Sequence, residues 1–497
     1  MTEDGGKRKG LSSMLVVTCQ ECAHEENTYT SKKVSGGAMD INRRIVLAMR
    51  LIGKGLQPLE QFCGVLNMPG SMEVKTYTGH VTALRKAAKE EAEKSMTKAV
   101  NDIRHLYEVN PNGIVDIGVS GDGTWRKRGF SSFHGVATAI SIVSGKVVDI
   151  EIKSSYCRAC ALWEKKKGTP EYRQWEEKHG PKCHKNYSGS SGAMEVSAIA
   201  DIFQRSVATR AARYTEYLGD GDSKAVKLVN EQQPYGPDLV VKKLECINHV
   251  SKRMYARLDS VKQQYEGKKL ADKKGMDGKG RLTVAIMKEL QGYYGRAIRQ
   301  NQDSIQDMKK AIWASYYHRI STDDHPQHQY CPDGPDGWCK YNNDPTSYEH
   351  HDVIPAAIAP LIKPCYEELT ADTLLSKCTH GGTSNANEGF NSILWRIAPK
   401  SEFSGTPTLE LSSYLAVLSF NDGATGVLRT LEGAGVRVVG RHTVLAVKKK
   451  DTRRINIMEY RQRASFRRRR YILKKARKRI QHKEATKEGL TYGAGQF

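Results

Sequence analysis

Apolar residues return at every second position through 113–125 (GIVDIGVSGDGTW). Val115, Ile117 and Val119 fall on one side and Asp116, Gly118, Ser120 and Asp122 on the other, the alternation of a half-buried strand. A second strand is predicted over 134–143, with a tight turn at Ser144-Gly145 and a third strand at 146–153. Helical spacing then takes over at 193–209. A fourth strand, 214–218, stops at Gly219-Asp220-Gly221-Asp222; a helix opens at Ser223, and a fifth strand at 239–244 precedes Cys246. Much later, 385–395 (NANEGFNSILW) reads as a helix ended by Pro399. Phe390, Ile393, Leu394 and Ile397 line one side of it, and Glu388, Asn391, Ser392 and Trp395 the other.

This order of elements predicts an α/β fold with an RNase H-like core, a mixed sheet flanked by helices, over 113–249, with its final helix in 377–405. The gap between Asp220 and Glu388 is too long for a loop inside a compact domain. Residues 250–376 therefore read as a large, mainly helical insertion that ends in a Cys/His/Pro/Gly-rich segment. The N-terminal region, 1–112, reads as mostly helical (42–52, 59–66 and a long charged helix over 71–107), with breaks at Gly53, Gly55 and Pro69-Gly70. Short helices with arginines at a start suit DNA docking or plain packing equally. The C-terminal region, 406–497, closes with a basic helical tail over 448–483, and no internal repeat is evident.

Charge sharpens this picture. The 497 residues carry 78 Lys+Arg against 55 Asp+Glu, a formal net charge of +23. Such a balance implies a polyanionic partner, nucleic acid before membrane. No stretch approaches the roughly 20 apolar residues of a membrane helix, and the first residues lack the apolar run of a secretory signal. In the tail, Arg467, Arg468, Arg469, Arg470, Lys474, Lys475, Arg477, Lys478 and Arg479 are candidates for DNA phosphate contact and for nuclear import, so a nuclear location is expected.

The 11 cysteines are odd in number, and several stand in close pairs with histidine nearby. That suits reduced thiols binding structural zinc better than a disulfide framework. Cys157 and Cys160 (CxxC), with His179 and Cys183 (HxxxC), make two close pairs of soft ligands that would order the loop 157–184 around a zinc ion. His184 is an alternative to either member of the second pair. His325, His328, Cys331 and Cys339 form a second candidate zinc cluster, with Pro332, Gly334, Pro335 and Gly337 to turn the chain. Cys246 and His249 lack a local partner pair, which Cys378 and His380 could supply across space; core packing is the other reading. Cys19 and Cys22 have His24 and Cys63 within conceivable reach.

The acids carry the chemistry. Phosphodiester reactions need no covalent help if two divalent cations are held about 4 Å apart, and carboxylates are the hard ligands that Mg²⁺ or Mn²⁺ prefers. Asp122 and Asp220 at strand ends and Glu388 on a late helix could converge as such a site. Asp122 in a Gly-Asp-Gly-Thr segment is alone better explained as a turn-former, Asp222 as a helix cap competing with Asp220, and Glu388 as a solvated helix residue.

Taken together, DGTWRKRG at Asp122, YCRAC, NYSGSSGAME, GDGDSKAV at Asp220, ECINH at Cys246–His249 and NANEGFNSILW around Glu388 resemble the Mutator-like transposases, over about 113–400. The resemblance implies a DDE transposase in which Asp122, Asp220 and Glu388 bind two catalytic Mg²⁺ or Mn²⁺ ions and Cys246/His249 are the CxxH that marks the group. It implies cutting at terminal inverted repeats, joining to target double-stranded DNA, assembly as a homo-oligomer, and room for DNA-binding sequence ahead of Met1. Two other readings stand beside it: a domesticated, zinc-containing DNA-binding protein without catalysis, and an RNase H-like nuclease without strand transfer.

Overall fold

A computed structural model describes residues 2–34, 36–70, 72–126, 132–219, 224–334, 337–351, 353–437, 440–466, 468–473, 476–477 and 480. The chain groups into two compact units. One comprises Met1–Leu47, Leu56–Glu91 and Asp422–Phe497; the other comprises Ala48–Gly55 and Ala92–Asn421.

The first unit opens with an antiparallel sheet of β1 (Thr2–Lys9), β2 (Ser12–Thr18) and β3 (Glu25–Tyr29). This corrects the mostly helical reading of the N-terminal region. The reason is plain in β1, whose sequence TEDGGKRK is almost wholly exposed and has no apolar alternation to betray a strand. The expected helices do form, at Asp40–Leu51, Leu56–Val65 and Val74–Asn101. At the other end of the chain, Asp451 of helix Arg441–Gln462 accepts from the backbone N–H groups of Ala424 (2.8 Å) and Thr425 (3.0 Å). It thereby supplies the carboxylate that the first turn of helix Gly423–Gly433 lacks in its own sequence.

The second unit is built on a five-stranded mixed sheet: β4 (Val115–Trp125), β5 (His134–Ser141), β6 (Val147–Ser154), β7 (Ala212–Gly219) and β8 (Lys242–Glu245). The order is β6-β5-β4-β7-β8. β4 is antiparallel to β5, and β5 to β6, whereas β4–β7 and β7–β8 are parallel. After β6 the chain returns through helix Met194–Arg210 to the opposite edge of β4, so the carboxyl ends of β4 and β7 emerge side by side where the strand order reverses. That is where open α/β sheets leave a crevice. Val115, Ile117 and Val119 pack, as their alternation predicts, with Ala198, Ile199, Ile202 and Phe203 of the returning helix.

A charged cluster locks that helix to the outer strand. Asp149 on β6 is 1% exposed and accepts from Arg205 Nη2 at 2.7 Å. Arg205 also bonds Glu151, while the buried Arg210 reaches the Val148 carbonyl (2.7 Å) and Glu93 (2.6 Å). Burial disfavours the Arg205 charge, but its bonds to Asp149 and Glu151 outweigh this and raise its pKa. Removing one partner strands the others in a low dielectric. Asp149→Ala is expected to lower unfolding free energy by about 3–5 kcal/mol, measured by urea denaturation.

Helices Ile247–Gln264, Val284–Gln300, Ile305–Ile320 and Ala359–Leu369 bury a core of their own around Met254, Leu258, Leu290, Tyr294, Ile312 and Tyr366. Two of the buried phenols are satisfied at carbonyls, Tyr294 at Leu369 (2.9 Å) and Tyr316 at Ala359 (3.0 Å). Among the described residues no helix is long and apolar enough to cross a membrane.

Candidate active site and Cys/His clusters

Asp122 lies inside β4, paired with Thr138 on β5, and not in a turn as its neighbours suggest. The flanking glycines have another purpose. A Cβ on Gly121 would stand 2.2 Å from the Tyr217 ring, and one on Gly123 would stand 2.7 Å from Glu195. Both glycines occupy the core side of the strand and let Tyr217 and the returning helix press against its backbone. Asp122 occupies the other side.

Helix Asn385–Ile397 lies along that other side, in register with it. Ser120 Oγ donates to Asn387 Oδ1 (2.6 Å) and Asn387 Nδ2 returns a bond to the Ser120 carbonyl (3.2 Å). Asn391 Nδ2 donates to Asp122 Oδ2 (2.7 Å), and Trp395 Nε1 donates to Thr124 Oγ1 (2.7 Å). Helix positions four apart thus meet strand positions two apart. The match is physical: four helical residues rise about 6.0 Å and two strand residues about 6.7 Å, so three successive rungs fit before the mismatch accumulates. Phe390, Leu394 and Ile397 are buried on the apolar side, as predicted. Glu388 is exposed, one turn before Asn391 and therefore on the same flank of the helix. The structure thus brings the Glu388 helix and Asp122 together. Asp220 and the competing Asp222 lie outside the described residues; β7, which precedes them, ends beside β4 with Ser120 opposite Leu218.

Of the two readings of Cys246 and His249, a metal bridge to Cys378 and His380 or core packing, the structure supports packing. Among the described residues, Cys246, His249, Cys378 and His380 do not gather as a ligand group. Their segments do meet: Glu245 N–H donates to the Lys377 carbonyl (2.9 Å) and Ile247 N–H to the Gly382 carbonyl (3.3 Å). Cys246 Sγ is buried and accepts from the backbone N–H of Ser384, the N-cap residue of the Glu388 helix, at 3.4 Å. His380 Nε2 faces the Glu245 and Lys377 carbonyls while Nδ1 accepts from Gly382 N–H at 2.8 Å, so both ring nitrogens serve the backbone. Cys246 therefore fixes where the helix starts.

Two groups do have the geometry of metal sites. In the first, His179 Nε2 stands 3.4 Å from Cys157 Sγ and 3.3 Å from Cys160 Sγ, and Cys160 Sγ stands 3.5 Å from Cys183 Sγ. A zinc tetrahedron of thiolate and imidazole has edges of roughly 3.4–3.8 Å. Burial opposes the Cys157 thiolate, yet the N–H groups of Cys160, His184 and Ala159 bring the thiol down to about 6. Burial and the neighbouring sulfurs push Cys160 up to about 12. Three sulfurs crowded this closely call for a cation between them.

The second group is His318, His328, Cys331 and Cys339. The two imidazole Nδ1 atoms are 3.2 Å apart, and Cys339 Sγ is 3.4 Å from His328 Nδ1. His325, expected here, is exposed and outside the group. His318, at the end of helix Ile305–Ile320, takes its place because the helix aims its ring at the Cys/His-rich segment. Burial, His318 and His350 hold His328 near pKa 4, so its ring is neutral and can act as a ligand. Its Nε2 lies 2.8 Å from His350 Nε2, and His350 Nδ1 meets Asp323 at 2.6 Å, the outer shell that orients a metal-bound imidazole. Cys19 and Cys22 are exposed, and among the described residues neither joins a group.

Comparison with known families gives the deciding observation: the family profile for Mutator-like transposases matches residues 1–339. The chain belongs to the Mutator-like transposase family. Comparison with curated proteins gives no match. Membership supports a transposase function, a nucleic-acid-processing enzyme with DNA as its partner, and both Cys/His clusters of this Mutator-like protein could hold zinc. The matched residues include Asp122, Asp220 and the first cluster and end at Cys339, so Glu388 rests on the geometry above. In the tail, Arg468, Arg469, Arg470 and Arg477 are exposed; Arg467, Lys474, Lys475, Lys478 and Arg479 lie outside the described residues.

Proposed function

We propose that this transposase is of the DDE type, with an RNase H-like core interrupted by the helical segment after β8. Asp122, Asp220 and Glu388 would hold two Mg²⁺ or Mn²⁺ ions. The observation that carries the reading is the Asn391–Asp122 bond, because it ties the helix bearing one acid to the strand bearing another. The donor set is hard oxygen, which suits these ions and not zinc. Bound there, the cations would activate the attacking oxygen and stabilise the leaving one.

The chain's own residues orient and exclude. Asn391 holds Asp122 through its Oδ2 and so fixes the orientation of the carboxylate. Gly121 and Gly123 let the core press Asp122 forward. Water would first break the phosphodiester at the element's end, leaving a 3′ hydroxyl, and that hydroxyl would then attack a target phosphorus in line, releasing the target's 3′ oxygen. Exposed arginines of the tail, together with lysines of the N-terminal helices, would add phosphate contacts with strong salt dependence. A homo-oligomer on two ends, terminal inverted repeats as the cut sites and a nuclear location belong to the same proposal.

The test is a labelled element-end duplex incubated with a target duplex in Mn²⁺. Joined products are the expected result. Cleavage without joining would assign a nuclease, and binding alone a domesticated DNA-binding protein.

Asn391 allows a finer check. Asn391→Ala is expected to raise the Mn²⁺ concentration for half-maximal cleavage about tenfold, the usual effect of losing a residue that orients a metal ligand. The maximal rate in saturating Mn²⁺ should move much less, as a titration of rate against Mn²⁺ would report.

A further inference from the structure

Beside the second Cys/His cluster lies a cavity of about 370 Å³ that the site above does not use. Its floor is Ala297, Ala311 and Ser315, from the facing helices Val284–Gln300 and Ile305–Ile320. Its chemistry comes from Arg296, Arg319 and Trp338.

Arg319 is the unusual member. It is 9% exposed, and its Nε has no hydrogen-bond partner among the described residues. Its ion pair with Glu289 is long, at 3.9 Å, and the Tyr293 hydroxyl also competes for that carboxylate. A buried guanidinium with an unused donor costs free energy unless an acceptor arrives. A second guanidinium, Arg296, lies over the Tyr293 ring at 4.9 Å and stays exposed at the mouth. Two planar forks around one cavity match the tetrahedral oxygens of a phosphate.

The rim adds a second specificity. Trp338 is 57% exposed, and His318 meets it edge-on, with ring centroids 5.0 Å apart at 77°. The indole is held on one side by His318 while more than half of the residue stays exposed, a platform for a base. His318 is also a candidate zinc ligand, so the metal cluster would stiffen one wall of the cavity.

We propose that this cavity binds one nucleotide of a single-stranded nucleic-acid segment, its phosphate on Arg319 and Arg296 and its base stacked on Trp338. The choice of a nucleic-acid strand over another phosphate rests on the transposase reading; the anion chemistry does not.

The test uses the full chain and a single-stranded deoxyoligonucleotide bearing 5-iododeoxyuridine, photocrosslinked and mapped by mass spectrometry. The expected adduct is on Trp338. Its yield should fall about tenfold in Arg296→Ala, whose side chain is exposed and whose fold is therefore safe, and at least as far in Arg319→Lys, which keeps the charge and loses the fork. An adduct absent from Trp338, or equal yields in wild type and both variants, would overturn the proposal. Suppression by dTMP at lower concentration than by unlabelled oligonucleotide would overturn it too, by assigning the cavity to a free nucleotide. Because no cleavage is measured, failure here leaves the joining assay standing, and failure there leaves this adduct standing.

Discussion

Glu388→Gln is expected to reduce cleavage of an element-end duplex by at least about a thousandfold, roughly 4 kcal/mol of lost transition-state stabilisation. Affinity for the same DNA should be unchanged or higher, since one negative charge near the phosphates is gone. The fold should be indifferent: Glu388 is exposed, and the rungs that seat its helix are Asn387, Asn391 and Trp395. Single-turnover cleavage, fluorescence anisotropy and thermal melting, made on one preparation, separate these effects. Undiminished cleavage would remove Glu388 from the site and leave the helix as packing alone.

The second large effect concerns metal content. The purified chain is expected to carry two zinc ions, with one lost in Cys160→Ser, the other lost in Cys339→Ser and both lost in the double variant, as elemental analysis by mass spectrometry would show. His318→Ala should lose the second ion and His325→Ala should keep it, which tests the ligand exchanged between sequence and structure. Short zinc-bound segments draw most of their folding free energy from the metal, on the order of 10 kcal/mol in small zinc domains. Cys160→Ser should therefore expose 157–184 to proteolysis while the sheet remains protected. The loop has little else to hold it. Trp163 and Trp175 stack at 4.9 Å and Trp175 stacks on His179 at 4.5 Å, but all three rings are only partly covered.

The central sheet was legible because β4 alternates apolar and polar residues and the turn between β5 and β6 carries glycine. β1 was not, because a charged, exposed strand is specified by pairing with β2 and not by its own pattern. At Asp122 the alternation carries the strand through Gly-Asp-Gly, as the structure has it, although those three residues alone read as a turn; the glycines are required by Tyr217 and Glu195, residues far off in the sequence. Asn391 and Trp395 were visible on the polar flank of the Glu388 helix, but the role of Asn387, wholly buried, depends on Ser120. His318 was hidden inside a helix, where a histidine ordinarily signals packing, while the nearby His325/His328 spacing drew the ligand assignment. The CxxH drew a metal reading from its residue types; its cysteine instead anchors the backbone of Ser384.

The ladder between β4 and the Glu388 helix has a consequence for biosynthesis. Ser120, Asp122 and Thr124 leave the ribosome long before Asn387, Asn391 and Trp395, and the whole helical segment after β8 must be made in between. A nascent chain can complete its five-stranded sheet while that helix and the basic tail are still unmade. On the proposed mechanism it remains chemically silent until that late helix docks, so cutting power is withheld from every copy that stops short of it.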